Sequence, residues 1–197
     1  FAIGGALTVV LDAMRDMAGH ITEDEIDLII NMLDLVIEFD VENIVLMEKM
    51  LEVTYSLCVL KRDIMIQFGV IVVVIDCMAE HEGNEKIQGK GCAILALLAS
   101  TENLQVNLSI AETDGIDALV NALATFPESL DIQIDTCKAL SHLSTDHESR
   151  MLISSQGGLM LLVNTIDAWK DSTTLLECAM GALLNLSADA EERILAS

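Results

Sequence analysis

Apolar residues recur along this chain with helical spacing, in two kinds of segment that repeat. Segments of the first kind begin with a glycine, at intervals of 46 and 43 residues; these glycines are Gly69, Gly115 and Gly158. Segments of the second kind end in a leucine, at intervals of 45 and 43 residues; these leucines are Leu98, Leu143 and Leu186. Two independent markers with one shared period of about 40–47 residues predict stacked helical units.

The unit over residues 102–144 shows how three helices are predicted. Residues 102–112 form a short first helix, and Asp114-Gly115 turns the chain, with the glycine supplying the positive φ. Apolar spacing of i, i+3, i+4 and i+7 predicts the second helix; its residues are Ile116, Leu119, Val120 and Leu123. Residues 131–144 form the third helix, and its predicted inward side chains are Ile134, Ala139, Leu140 and Leu143.

Residues 70–75 are six consecutive β-branched residues, a run that is locally typical of a buried strand. The repeat places the same run on a second helix. Because tertiary packing routinely overrides local propensity, we predict a helix here.

The first 68 residues repeat less regularly. Residues 6–17 are predicted to be a second helix, residues 22–40 an additional helix, and residues 42–60 a further long one. Thr22 and Glu25 have the spacing of a capping box. We therefore predict a degenerate or helix-inserted region over residues 1–68 and regular repeats over residues 69–197, truncated at the C-terminal end. Neither end shows a polar capping repeat, so we expect a fragment of a longer array.

Two motifs resemble the armadillo-repeat family. They are Gln-Gly-Gly-Leu at residues 156–159 and Ala-Leu-Leu-Asn-Leu-Ser at residues 182–187. The family pattern is a short helix, Gly-Gly-Ile, a second helix, and a third helix that ends in Ala-Leu-x-Asn-Leu-Ser. The resemblance implies an all-α, right-handed α-solenoid of three-helix repeats. It also implies a scaffold whose third helices line a concave groove.

Nuclear-import adaptors of this family hold extended peptides with a ladder of Trp and Asn on successive third helices. The matching positions here are Ala93 and Leu97, Lys138 and His142, and Gly181 and Asn185. Only one Asn and no Trp matches, which argues against a localisation-signal clamp. The candidate partner-binding residues are Lys138, His142, Gly181 and Asn185. Trp169 aligns with a second helix and is predicted to pack between helices or at the rim.

Composition narrows the classes of partner. Thirty-two acidic and 10 basic residues give a net charge of −22, which argues against binding to nucleic acid or to an anionic membrane surface. Mean hydropathy is +0.50, yet no stretch of about 18 residues is apolar throughout, so membrane insertion is not predicted. The acidity either keeps the surface solvated or steers basic partners to a groove.

No motif predicts an enzyme, a cofactor or a metal site. Residues 83–91 resemble a phosphate loop, but the spacing is one residue too long and Gly91 stands where Ser or Thr would bind Mg²⁺. His142 and His147 are five residues apart, which does not suit a helical zinc pair. The five cysteines lack paired spacing and predict free thiols in a cytoplasmic or nuclear protein.

Protein–protein interaction is the predicted function. The leading hypothesis is a scaffold or assembly subunit of a larger eukaryotic complex. The first alternative is an adaptor that captures basic peptides on an acidic concave groove. The second is a regulatory repeat module fused to an enzyme or motor.

Overall fold

The computed structural model describes residues 11–16, 18–39, 43–100 and 103–195, with the backbone alone for residues 32–39 and 189–195. Every regular element in these ranges is helical. Residues 11–16 are helical, and a 3-10 turn follows at Ala18–His20. The α-helices after it are α1 (Glu23–Phe39), α2 (Ile44–Gln67), α3 (Val70–Glu80), α4 (Glu85–Ala99), α5 (Leu104–Glu112), α6 (Gly115–Thr125), α7 (Leu130–Leu143), α8 (His147–Ser155), α9 (Gly158–Ala168) and α10 (Thr173–Leu195).

The chain divides into two compact units, Phe1–Leu98 and Ala99–Ser197. The first contains α1 to α3 and all but the last residue of α4, and the second contains α5 to α10. In the second unit α6 packs against α7, and α7 packs along α10. The predicted boundary at residues 68 and 69 separates irregular from regular repeats, which is a different division from that into compact units. This boundary stays a prediction.

The β-branched run at residues 70–75 lies in α3, which confirms the predicted helix. Five of its six side chains are buried, and Val72 alone is exposed. Burial on nearly all sides stabilises the helix more than β-branching disfavours it, because propensity differences are only about 0.7 kcal/mol per residue.

The irregular N-terminal region also contains helices close to those predicted. Thr22 Oγ1 accepts from Glu25 N at 3.4 Å, and Glu25 Oε2 accepts from Thr22 N at 2.7 Å, so the capping box is confirmed. The helix predicted over residues 42–60 begins at Ile44 and runs on to Gln67, with a break at Lys61 (φ −140°, ψ 40°). The helix predicted over residues 6–17 lies outside the described residues except for residues 11–16, which are helical.

The turn before each regular second helix has one residue with positive φ. Gly69 and Gly157 have φ of 84° and 80°, but in the middle repeat Asp114 takes this conformation, with φ 60°. Asp114-Gly115 turns the chain as predicted, but the prediction that the glycine supplies the positive φ was wrong. Asp tolerates the left-handed region better than most residues, which frees Gly115 to be the buried first residue of α6.

A buried glutamine ties each of two third helices to the helix before it. Gln88 Nε2 donates to Met78 O at 2.6 Å and His81 O at 3.1 Å, at the end of α3. Gln133, 45 residues later, donates to Leu123 O at 2.9 Å and Phe126 O at 3.1 Å, at the end of α6. The last carbonyls of a helix lack the regular intrahelical donors, and each glutamine amide adds a hydrogen bond to two of them.

Gln133 also explains an error in the predicted core. The sequence pattern placed Ile134 inside α7, but Ile134 is only half-buried while Gln133 is fully buried. Gln133 Oε1 accepts from the buried Thr165 hydroxyl of α9 at 2.6 Å. Its amide thus joins three helices, which an apolar side chain cannot do.

We predict that Gln133→Leu destabilises the protein more than Gln88→Leu does. Each variant removes two hydrogen bonds to helix-end carbonyls, which should cost about 2–3 kcal/mol of unfolding free energy. Gln133→Leu additionally leaves the buried Thr165 hydroxyl without its acceptor, which should cost about 1 kcal/mol more. Urea unfolding followed by circular dichroism measures the difference, and Thr165→Val should remove it. Equal losses from the two glutamines would contradict the three-helix role of Gln133.

Alanine at either position of the Gly157-Gly158 pair should destabilise the protein. Gly157→Ala forces alanine into the left-handed region, and Gly158→Ala places a Cβ 2.8 Å from the Ile153 carbonyl oxygen. Each should lower the unfolding free energy by about 1–2 kcal/mol. Gly83→Ala is the matched control, because a Cβ there meets no atom within 4 Å. Thermal unfolding of the three variants tests this, and an unchanged melting temperature for Gly158→Ala would contradict the close contact.

Candidate protein-interaction surface

All four predicted partner-binding residues lie on two helices that pack together in the second unit. Lys138 and His142 are one turn apart on α7, and Gly181 and Asn185 are one turn apart on α10. Each is half-exposed, so each borders both the helix contact and the open surface. The earlier pair at the same repeat positions, Ala93 and Leu97 of α4, is half-exposed in the first unit.

Gly181 lies where α10 contacts α7. A Cβ at this position would lie 2.7 Å from Ser141 Oγ, closer than two such atoms approach in proteins. The absent side chain therefore leaves room for the Ser141 hydroxyl in its present position. Gly181 brings no chemical group of its own to the surface.

Asn185 is bound within the protein. Its Nδ2 donates to Ser141 O at 3.1 Å and to Ser144 Oγ at 3.2 Å. Both acceptors are on or at the end of α7, so this amide connects adjacent repeats. An amide nitrogen with two internal acceptors is already satisfied, which weakens the analogy with an asparagine that binds a peptide backbone.

The charges around Lys138 are mixed. Burial of the half-exposed Cys178 raises the pKa of its thiol, Lys138 opposes that shift, and Glu177 and Asp135 add to it. Lys138, Glu177 and Asp135 therefore all lie close enough to Cys178 to act on it. We define the α7/α10 surface as Asp135, Lys138, His142, Glu177, Cys178, Gly181 and Asn185.

His142 is held neutral on this surface. Burial lowers the pKa of its imidazole, and the positive charge of Lys138 lowers it further. At neutral pH the side chain is therefore a hydrogen-bonding group without charge. Lys138 is left as the cation of the α7/α10 surface.

Sequence reasoning missed the acidic residues and the thiol of this surface. Asp135 is three residues before Lys138, and Cys178 is three residues before Gly181, so each lies on the same helix face as a predicted residue. Extending each predicted pair by one helical turn toward the N-terminus would have included Asp135, Glu177 and Cys178.

The remaining candidate motifs have structural explanations. Asn84 Oδ1 accepts from Lys86 N at 3.1 Å and Ile87 N at 3.2 Å, so the loop-like residues 83–91 begin helix α4. Lys90 Nζ lies 5.0 Å from the centre of the Tyr55 ring, a cation–π distance. Over the described ranges, no three His, Cys, Asp or Glu side chains are grouped to hold a metal ion.

Trp169 lies at the C-terminal end of the second helix with which it aligns. It follows the last residue of α9, is half-buried, and donates from Nε1 to Pro127 O at 3.1 Å. The bond fixes the end of α9 to the loop between α6 and α7.

The family model described as LRRK2 ARM repeat matches residues 43–195, which cover α2 to α10. The chain belongs to the LRRK2 ARM repeat family. It is similar to a solved engineered protein of the Northeast Structural Genomics Consortium, with 13% identity and a TM-score of 0.55. That likeness covers 90% of this chain and 92% of the engineered one, and it shows the fold alone. No curated protein matches the chain.

Membership in the LRRK2 ARM repeat family confirms the predicted all-α solenoid of armadillo-type repeats. ARM repeats generally bind proteins, and folds of this kind are typically scaffolds without catalysis. Among the described helices, none combines the length and the apolar character needed to cross a bilayer.

Asn185→Ala should destabilise the second unit by about 1–2 kcal/mol, because Ser141 O and Ser144 Oγ both lose a donor. Asn185→Asp should cost at least as much at neutral pH, since it sets a carboxylate oxygen against the Ser141 carbonyl. Chemical unfolding measures both, with Lys138→Ala as the control that keeps these bonds. Full stability in both Asn185 variants would contradict the inter-repeat bond.

NMR titration should place the pKa of His142 below 6.5, the ordinary value. Lys138→Met should raise this pKa only in part, because burial is the larger cause. The unfolded chain takes up this proton more readily, so the wild type should lose stability relative to His142→Gln as pH falls below about 6.5. A pKa at or above 6.5 in the wild type would contradict the burial of this ring.

Proposed function

We propose that the chain is a scaffold or assembly subunit of a larger eukaryotic complex and that it binds partner proteins through the α7/α10 surface. The supporting observation is that charged side chains from two successive repeats, all half-exposed or exposed, act on Cys178 there. The surface combines one cation, two carboxylates and a neutral imidazole with a thiol and an amide. Such a mixture suits recognition of a protein surface.

Free thiols support a location inside the cell. All five cysteines are free, and four of them are buried. Burial raises the pKa of Cys58, Cys77 and Cys137 to about 12, so these thiols stay protonated and unreactive at neutral pH. Thiols of this kind suit the reducing cytoplasm or nucleus.

A second candidate function is the capture of basic peptides. Asp135 and Glu177 approach the same thiol from α7 and α10, so a Lys or Arg side chain bound at Cys178 would meet two carboxylates. Lys138 opposes this binding, and Asn185 has no free amide hydrogen-bonding capacity for a peptide carbonyl beyond its two internal bonds. The observations therefore favour a protein surface over an extended basic peptide.

Selection of phage-displayed random peptides on the full chain tests both candidates. Each selected binder is then measured against Glu177→Lys, Lys138→Glu and the control Lys170→Glu. Lys170 is exposed on the loop after α9, where it pairs with Asp167 at 2.7 Å, away from the α7/α10 surface. All three variants change a charge at a half-exposed or exposed position, so each should fold.

We expect affinity for most binders to fall at least about tenfold in Glu177→Lys or Lys138→Glu and to stay unchanged in Lys170→Glu. Binders rich in Lys and Arg, with affinity that falls with salt and with Glu177→Lys, would favour the peptide adaptor. Binders rich in aromatic and apolar residues would favour the scaffold. Equal binding to all variants would contradict both uses of this surface.

A further inference from the structure

Two of the free cysteines lie on the two third helices that pack together in the second unit. Cys137 is on α7 and is fully buried, and Cys178 is on α10 and is half-exposed. They are 41 residues apart in the chain, so no local motif pairs them. The contacts between α7 and α10 show how the two thiols lie relative to each other.

Helices α7 and α10 run in the same direction along their contact. A Cβ on Gly181 would lie 3.8 Å from the Cβ of Ser141. One helical turn later, Asn185 Nδ2 donates to Ser144 Oγ at 3.2 Å. Later residues of one helix therefore meet later residues of the other, which is a parallel arrangement.

The two cysteines lie on the same line of contact, two turns before Ser144 and Asn185. Cys137 is seven residues before Ser144, and Cys178 is seven residues before Asn185. Because seven residues are close to two whole helical turns, each cysteine projects from nearly the same side of its helix as the residue seven positions later. On parallel helices the two cysteines therefore face each other, as Ser144 and Asn185 do.

The electrostatics of the two thiols agree with this placement. Burial raises the pKa of the Cys137 thiol to about 12, and Cys178 adds to that rise, so the two sulfur atoms are close enough to interact. The spacing of the helices also suits a disulfide, whose Cβ atoms are about 3.8 Å apart on average. One turn after the cysteines, Ser141 and a Cβ on Gly181 have this separation.

We propose that Cys178 is an oxidation site and that Cys137 is the thiol with which it forms a disulfide. The oxidant is a low-molecular-weight disulfide of the glutathione type, and the product links α7 to α10. In the reduced protein both residues are free thiols. The inference does not rest on the proposed function, because the bond forms within the chain without a partner protein.

The reaction consists of two thiol–disulfide exchanges. Cys178 reacts first because it is half-exposed: it loses its proton, and its thiolate attacks one sulfur of the oxidant, which forms a mixed disulfide and releases one thiolate. Cys137 then loses its proton and attacks Cys178 Sγ, which releases the second thiolate. The protein loses two hydrogen atoms in total, and the released thiolates take up the two protons, so the oxidant is reduced to two thiols.

The buried thiol of Cys137 reacts only with its neighbour. A pKa of about 12 leaves little thiolate at neutral pH, so reagents in solution react with Cys137 very slowly. In the mixed disulfide, however, the sulfur that it attacks is held beside it, and proximity converts a bimolecular step into a unimolecular one. Closure of the disulfide should therefore be faster in alkaline solution than at neutral pH.

Peptide mapping of the oxidised full chain tests the inference. The chain is incubated with oxidised glutathione at about pH 8.5, where more thiolate is present, and the remaining thiols are then alkylated in denaturant. Digestion with a protease that cleaves after glutamate places three cysteines in separate peptides, which are 86–102 with Cys92, 129–148 with Cys137 and 178–191 with Cys178. Mass spectrometry then identifies which peptides are linked.

Two variants accompany the wild type. Cys178→Ser changes a half-exposed side chain and should fold. Cys92→Ser is the matched control, because Cys92 is the buried counterpart of Cys137, 45 residues earlier on α4. We expect peptides 129–148 and 178–191 to be linked in the wild type and in Cys92→Ser, and to be unlinked in Cys178→Ser.

The link should also raise the melting temperature of the wild type by at least about 5 °C, because it restricts the unfolded chain. Dithiothreitol should reverse the rise, and Cys178→Ser should show none. A chain that retains glutathione on Cys178 while Cys137 is alkylated, or that forms dimers through Cys178, would overturn the inference. A link without a rise in melting temperature would show that the native helices do not offer disulfide geometry, and would equally overturn it.

Discussion

Burial of one third helix against the next is the constraint on which the second unit depends. Residues along α7 are apolar on the side that meets α10, and an isolated repeat would leave that side in water. Gly181 leaves room at this contact for the Ser141 hydroxyl, and the Asn185 amide bonds to Ser141 O of α7. Position in the stack therefore decides which residues are core.

The same constraint determines what is left for binding. Residues between the buried side and the solvent side of α7 and α10 are half-exposed, and the charges of Lys138, Asp135 and Glu177 act on one of them, Cys178. Asn185 and Gly181 were predicted as partner contacts, but their contacts within the protein join the repeats. Lys138, Asp135 and Glu177 bring the charged groups. A binding surface and a packing contact thus share the same two helices.

Much of the fold was predictable from the sequence, because repeated glycines and leucines report a periodic need for burial. That period placed the β-branched run at residues 70–75 in a helix against its local propensity. Details that depend on hydrogen-bond partners within the fold were not predictable. Hydropathy favours Ile134 over Gln133 for the core, yet the Leu123 carbonyl at the end of α6 requires a donor. Asp114 shows the same limit, since its positive φ follows from the turn. Alignment of the repeats predicted the positions of the two residue pairs, Lys138 with His142 and Gly181 with Asn185. It did not predict that the Asn185 amide bonds within the protein.

Native-state hydrogen exchange at the amides of α7 and α10 tests the central claim most directly. If each third helix is stable only against the other, the central amides of both should exchange through openings of the same free energy. We predict agreement within about 0.5 kcal/mol between the two helices. Openings of α10 that require at least about 2 kcal/mol less than those of α7 would show that the repeats fold independently, and would contradict the account.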